Sequence, residues 1–138
     1  MRKYINKYLN FTITLEKRGY YTDLSDKRVI LDTEKFIVND TYSNHADEVF
    51  NSELDALRYI NRLLKAKDKK EYLFVKWSTR AGVRENTIVE FSDGKRGIIL
   101  ESLHFDSCLK YKQIKKNGEP GKQIKKFYRH MDYKIINY

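Results

Sequence analysis

One stretch of this chain, SELDALRYINRLLKAKD at residues 52–68, carries its apolar residues at helical period, and most of what surrounds it alternates or is broken by turn residues. Leu54, Leu57, Ile60, Leu63 and Leu64 recur at three- and four-residue spacing. Ser52 stands where an N-cap belongs, with Asp55 three residues on in capping-box spacing. Arg58, Arg62, Lys65, Lys67, Lys69 and Lys70 place cations on the other face and toward the C-terminal end, where the helix dipole favours them. A single amphipathic helix among strands predicts an α+β fold. The expected form is a mostly antiparallel sheet of about six to eight strands with that helix packed on it.

The strand signals are spread over the rest of the chain. NFTITLE alternates, and KRGYYTDL follows it with Gly19 as the turn. RVILD and KFIVND read as two short strands parted around Thr33 and Glu34. EYLFVKWS, at 71–78, reads as a strand from its apolar run, followed by the loop TRAGVREN. TIVEFSDGKRGIIL is the clearest hairpin, with Asp93-Gly94 as a two-residue turn that opposes Ser92 to Lys95 and Val89 to Ile98. The last hairpin spans residues 107–129, where KQIKK is written on both sides of NGEPG. A five-residue loop there pairs Lys116 with Lys122 and Ile114 with Ile124, while a Pro-Gly turn would pair Glu119 with Lys122. The 138 residues suit one domain, and no linker or long-period repeat divides them.

Charge points to function more than any motif does. Charged residues make up 34% of the chain and the formal net charge is +9. Residues 23–55 are acidic, with nine carboxylates against three bases, while residues 110–129 hold eight Lys or Arg against one acid. So polarised a field steers anionic partners. A run of lysines beyond what an edge strand needs to deter aggregation suits phosphates along a two-stranded ribbon. The candidate anion-binding residues are Lys110, Lys112, Lys115, Lys116, Lys122, Lys125, Lys126 and Arg129, with a second basic site at Arg80 and Arg84. Tyr111, Phe127, Tyr128 and Trp77 are the candidates for stacking on bases.

Chemistry-bearing patterns are sparse. His104 with Asp106 and His130 with Asp132 form two His-x-Asp pairs, which on neighbouring strands would offer nitrogen and oxygen to a metal. Cys108 lies four residues after His104 but matches no nucleophile motif, and no phosphate-binding or zinc signature is present. The expected protein is a non-catalytic binder without a cofactor, whose partner is a nucleic acid or a nucleic-acid-processing protein. A single cysteine, no secretory pattern and no apolar run near 20 residues place it in the cytoplasm.

Two other readings compete. In general character, a compact charged chain without a catalytic motif, it is similar to phage-encoded anti-defence proteins, inhibitors that bind a host enzyme by protein–protein contact; no motif or residue is carried over. There the acidic block 23–55 would imitate nucleic acid, or the lysines would grip an acidic groove of the target. The other reading is a nucleotide-ligand binder or small metal-dependent enzyme in which an oligomer places Arg80, Arg84, His104 and His130 around a phosphorylated nucleotide.

Overall fold

A computed structural model describes residues 1–42, 46–105, 108–128 and 130–138, with Phe105 described by its backbone alone. Arg129 and Asp106, named above, lie outside the described residues. The fold is α+β, with nine strands in two antiparallel sheets and two helices among the described residues. Contacts divide it into two compact units, Met1–Asp68 and Lys69–Tyr138.

The first unit is a four-stranded sheet in the order β1 (Arg2–Asn6), β2 (Phe11–Thr22), β3 (Arg28–Asp40), β4 (Glu48–Phe50), followed by helix α1 (Glu53–Lys65). Phe11, Ile13 and Leu15 alternate into the core from β2. Ser52 caps α1 as its spacing foretold, its Oγ accepting from the Asp55 N–H at 3.2 Å. The buried stripe is Ala56, Tyr59, Ile60 and Leu63, so the apolar face is turned from the expected one and Leu54 stays exposed. The helix ends without a glycine at Ala66 in extended conformation. Asn6, fully buried at the end of β1, donates to the carbonyls of Leu63 (2.8 Å), which also accepts from the Ala66 N–H, and Ala66 (2.9 Å), and so closes the helix from outside.

Gly19 is not a turn, and 28–40 is one strand rather than two. Both expected breaks mark one irregularity: Arg18 pairs with Lys35 but Tyr20 pairs with Ile30, so four residues of β3 face the single Gly19 of β2. Such a bulge bends a ribbon. Beyond the bend, Thr22 reaches Asp47, which precedes β4. Asp47 Oδ2 accepts from the Thr22 N–H (2.7 Å) and from Arg18 Nη2 (2.9 Å), its Oδ1 accepts from Asn39 Nδ2 (2.8 Å), and its own N–H donates to the Thr22 carbonyl (2.8 Å). Asp47 latches the bent ribbon to the sheet.

The second unit begins with α2 (Lys69–Ala81), which takes the place of the expected strand at 71–78. An apolar run of this length fits either period, and packing decides for the helix. Phe74, Trp77 and Ala81, three and four residues apart, meet the core of the sheet that follows. Gly82, at φ +73°, stops the helix: its N–H donates to the Thr79 carbonyl and the Val83 N–H to the Ser78 carbonyl, the two bonds of a Schellman cap.

That sheet has the order β8 (Pro120–Phe127), β7 (Cys108–Ile114), β6 (Arg96–Phe105), β5 (Ile88–Phe91), β9 (Tyr133–Asn137). Strands five to eight form a meander, and the chain then returns to pair β9 with β5. β8 and β9 are opposite edges, about 19 Å apart in a flat sheet of this size. Yet the rings of Phe127 on β8 and Tyr133 on β9 lie 4.9 Å apart, so the sheet curls strongly around them. Phe91 and Tyr111 complete this aromatic interior.

Both expected hairpin registers of this unit are displaced. Val89 pairs with Gly97, not Ile98, because the turn has three residues, with Gly94 at φ +82° and Asp93 Oδ1 accepting from the Lys95 N–H (3.0 Å). The last hairpin repeats the device: Lys115 pairs with Glu119 around Lys116, Asn117 and Gly118 (φ +86°), and Asn117 Oδ1 accepts from the Glu119 N–H (3.0 Å). A register shift between Lys112 and Ile114 then sets Lys112 opposite Ile124 and Lys110 opposite Lys126, and neither the Lys116–Lys122 nor the Glu119–Lys122 pairing forms.

Candidate nucleic-acid interface

The second unit holds sixteen Lys and Arg against eight Asp and Glu, whereas the first holds twelve against eleven. Almost all of the net charge therefore belongs to Lys69–Tyr138. Strand alternation sorts this charge onto two faces of one sheet.

The inner face, toward α2, carries Val89, Ile99, Leu109, Tyr111 and Phe127, all buried. The outer face carries a row across all five strands, Ile124–Lys112–Ile98–Ile88–Asn137, in register. Beside it Lys110 stands directly opposite Lys126, and Glu90 pairs with Arg96 and Lys134. Glu90 is engaged by Lys134 Nζ (3.1 Å) and Arg96 Nε (3.4 Å). The Lys134 ammonium, aided by Arg96 and opposed by burial, holds this carboxyl below the usual carboxylate range. Lys110 and Lys112 are partly covered by their neighbours and Lys126 is exposed. Lys115, Lys116 and Lys122 are exposed around the hairpin tip.

The anion-binding candidates thus separate. Lys110, Lys112 and Lys126 share the outer face, while Lys125 points inward beside Tyr111, its Nζ donating to Gln113 Oε1 at 2.8 Å. Arg80 lies over the Trp77 ring at 5.1 Å, and Arg84 lies over the Tyr138 ring at 4.5 Å with its Nε donating to the Tyr138 carbonyl. They form no common basic site with the hairpin lysines. Sequence reasoning missed Arg96 and Lys134, which join the outer face only once β5 is flanked by β6 and β9. The expected two-residue turn at Asp93-Gly94 set Arg96 on the face of Val89, and only the observed three-residue turn moves it to the outer face.

The stacking candidates are mostly withdrawn from the surface. Tyr111 and Phe127 are core residues, with their rings 6.2 Å apart edge to face, and both lie on the inner face of the sheet, away from the outer face that carries Lys110, Lys112 and Lys126. Trp77 packs against the same core. Tyr128 is half-buried and stacks on His130 at 5.2 Å; burial, then the nearby Cys108, pushes its hydroxyl pKa up. Cys108 is buried, its Sγ directed at backbone carbonyls of Leu109 and Phe127.

His104 lies on β6, but His130 and Asp132 sit in the turn before β9, so the two His-x-Asp pairs are not a matched pair of strand motifs. Among the described residues, no group of three or more His, Cys, Asp or Glu is arranged to hold a metal ion. In the acidic block, Asp40 and Asp47 are buried, Asp23 accepts from the Ser25 and Lys27 N–H groups of its own turn, and Glu34 pairs with Lys17. Burial removes Asp40 and Asp47 from any nucleic-acid-like surface.

A cavity of about 370 Å³ opens on the inner side of the curled sheet. Its walls are Phe91, Tyr111, Gln113 and Lys125, and its rim is formed by the turn residues Ser92, Asp93 and Lys95 and by Met131 and Asp132. None of Arg80, Arg84, His104 and His130 lines it. No helix among the described residues is long and apolar enough to cross a membrane. No protein-family model, curated protein or solved structure matches the chain.

Proposed function

We propose that Lys69–Tyr138 is a sequence-tolerant phosphate-binding module that docks nucleic acid on the outer face of its sheet. The observation that carries this reading is the placement of Lys110 directly opposite Lys126, with Lys112 on the same face. Like charges directly opposed on a strand pair are destabilising, by up to about 1 kcal/mol. A polyanion laid across them removes that repulsion and gains charge-assisted contacts. Glu90 does not offset these lysines, being held between Lys134 and Arg96. The face offers isoleucines and lysines in place of aromatic rings, which favours backbone contact over base stacking.

The test is fluorescence anisotropy of labelled duplexes of unrelated sequence over a salt series, with wild type and a Lys110→Gln, Lys112→Gln, Lys126→Gln variant. Wild type is expected to bind all duplexes alike, with log K falling linearly against log salt. The variant's slope should be shallower by about 0.9 for each lost phosphate contact. Absence of binding at low salt, or an unchanged slope in the variant, overturns the proposal.

A further inference from the structure

We infer that the cavity on the inner side of the second unit's sheet is a binding site for an uncharged planar heteroaromatic group of the nucleobase class. The site is independent of the phosphate-docking face, since the two lie on opposite sides of the sheet.

The curl of the sheet makes the cavity. Rings from its two edges meet at Phe127 and Tyr133, and α2 fills part of the interior with Phe74, Trp77 and Ala81. Space remains over Phe91 and Tyr111, whose rings lie 5.0 Å apart at 43°. Tyr111 lies so close on Gly97 that a Cβ there would come within 2.5 Å of its ring. The absent side chain lets the ring sink onto the strand and leaves room above it. At about 370 Å³ the cavity falls within the common size range of small-molecule sites, roughly 300–1,000 Å³, and mouths of curled sheets are frequent places for them.

The chemistry of the lining narrows the ligand. An aromatic wall suits a flat apolar face. Around it stand an amide and a hydroxyl, Gln113 and Ser92, able to donate and accept, with two lysines (Lys95, Lys125) and two aspartates (Asp93, Asp132). Lys125 is already directed by Gln113. Burial, with the Asp93 carboxylate adding to it, pushes the Tyr111 hydroxyl pKa up, so that phenol stays a neutral donor. Two positive and two negative groups cancel, with Lys95 Nζ 4.0 Å from Asp93 Oδ2, so the site offers a phosphate no net attraction. A group with a flat face and alternating donors and acceptors on its edge fits both observations, and a nucleobase is such a group.

The experiment is isothermal titration of the full chain with adenosine, guanosine, cytidine and uridine, with ribose 5-phosphate as the base-free control, at low and high salt. At least one nucleoside should bind with Kd below about 1 mM, equally at both salts, while the sugar phosphate does not. Lys125→Met and Asp132→Asn, both at the accessible edge of the cavity, should each weaken binding by about tenfold, the loss expected for one hydrogen bond to a charged group. A folded chain carrying Lys110→Gln, Lys112→Gln and Lys126→Gln should bind the nucleoside as wild type does, so failure of the phosphate-docking reading is told apart from failure of this one. A single-stranded tetranucleotide in high salt that binds more tightly than the nucleoside assigns the base to a strand; equal or weaker binding assigns it to a free nucleoside. No nucleoside binding, equal binding of ribose 5-phosphate, or wild-type affinity in both rim variants overturns the inference.

Discussion

Replacing Asp47 with Ala is expected to release the bent ribbon of the first unit and to cost about 3 kcal/mol or more of its stability. Removing one partner of a buried ion pair typically costs about 3–5 kcal/mol, because the remaining charge stays buried without compensation. Asp47 is buried and Arg18 largely so, with side-chain exposures of 2% and 16%. Arg18 keeps its Nε within 2.8 Å of Glu16, which places the cost toward the lower end. Thr22 N–H and Asn39 Nδ2 lose their acceptor as well. Trp77, the single tryptophan, belongs to the second unit, so its fluorescence does not read this loss directly. Hydrogen exchange by mass spectrometry does. Peptides covering residues 11–40 should exchange about a hundredfold faster in the variant, the factor that 3 kcal/mol implies. Asp47→Asn retains an acceptor for Thr22 and should lie between the two. Wild-type protection in Asp47→Ala would show that the latch holds nothing.

Gly97→Ala is expected to destabilise the second unit by about 1–3 kcal/mol, the usual cost of overpacking. The new methyl would meet Tyr111 Cδ2 at 2.5 Å and Phe91 Cε2 at 3.3 Å. Tyr111 is 9% exposed and held among Phe91 and Phe127, so its ring cannot move aside freely. The cost belongs to one contact, which a double-mutant cycle isolates. In a Tyr111→Leu background the additional effect of Gly97→Ala should fall by at least about 1 kcal/mol, the size of coupling expected between touching residues, in urea denaturation followed by Trp77 fluorescence. Equal effects in both backgrounds would place the strain elsewhere.

These residues also show where the sequence could be read and where it could not. The N-terminus of α1 was legible because capping is local: Ser52 and Asp55 are three residues apart. The second helix was not, because Tyr72, Leu73, Phe74 and Val75 form a run in which period 2 and period 3.6 are both satisfied. Its stop signal at Gly82 and the Phe74–Trp77–Ala81 spacing were available, and both argue for a helix. The two displaced hairpins had unequal consequences. In the basic hairpin the shift was two residues where Lys112 meets Ile124, and a two-residue shift keeps every side chain on its face. Lys112 and Lys126 therefore stayed outside with Ile124, and Lys125 stayed inside with Tyr111, as alternation requires. At Asp93-Gly94 the shift was one residue, which moved Ile98 from the inner face to the outer and put Gly97 beneath Tyr111. The aromatic interior was least legible of all. Phe91, Tyr111, Phe127 and Tyr133 come from four strands and meet only through the curl of the sheet, a non-local property that no short pattern encodes.

The most direct test of phosphate docking on the outer face is a lysine-protection footprint: acetylation rates of every lysine, read by mass spectrometry, with and without a saturating 20-base-pair duplex at low salt. Docking on the outer face predicts slowed modification at Lys110, Lys112, Lys126 and Lys134, with Lys35, Lys65 and Lys67 of the first unit unchanged. Protection spread evenly over both units, or confined to the first, contradicts it.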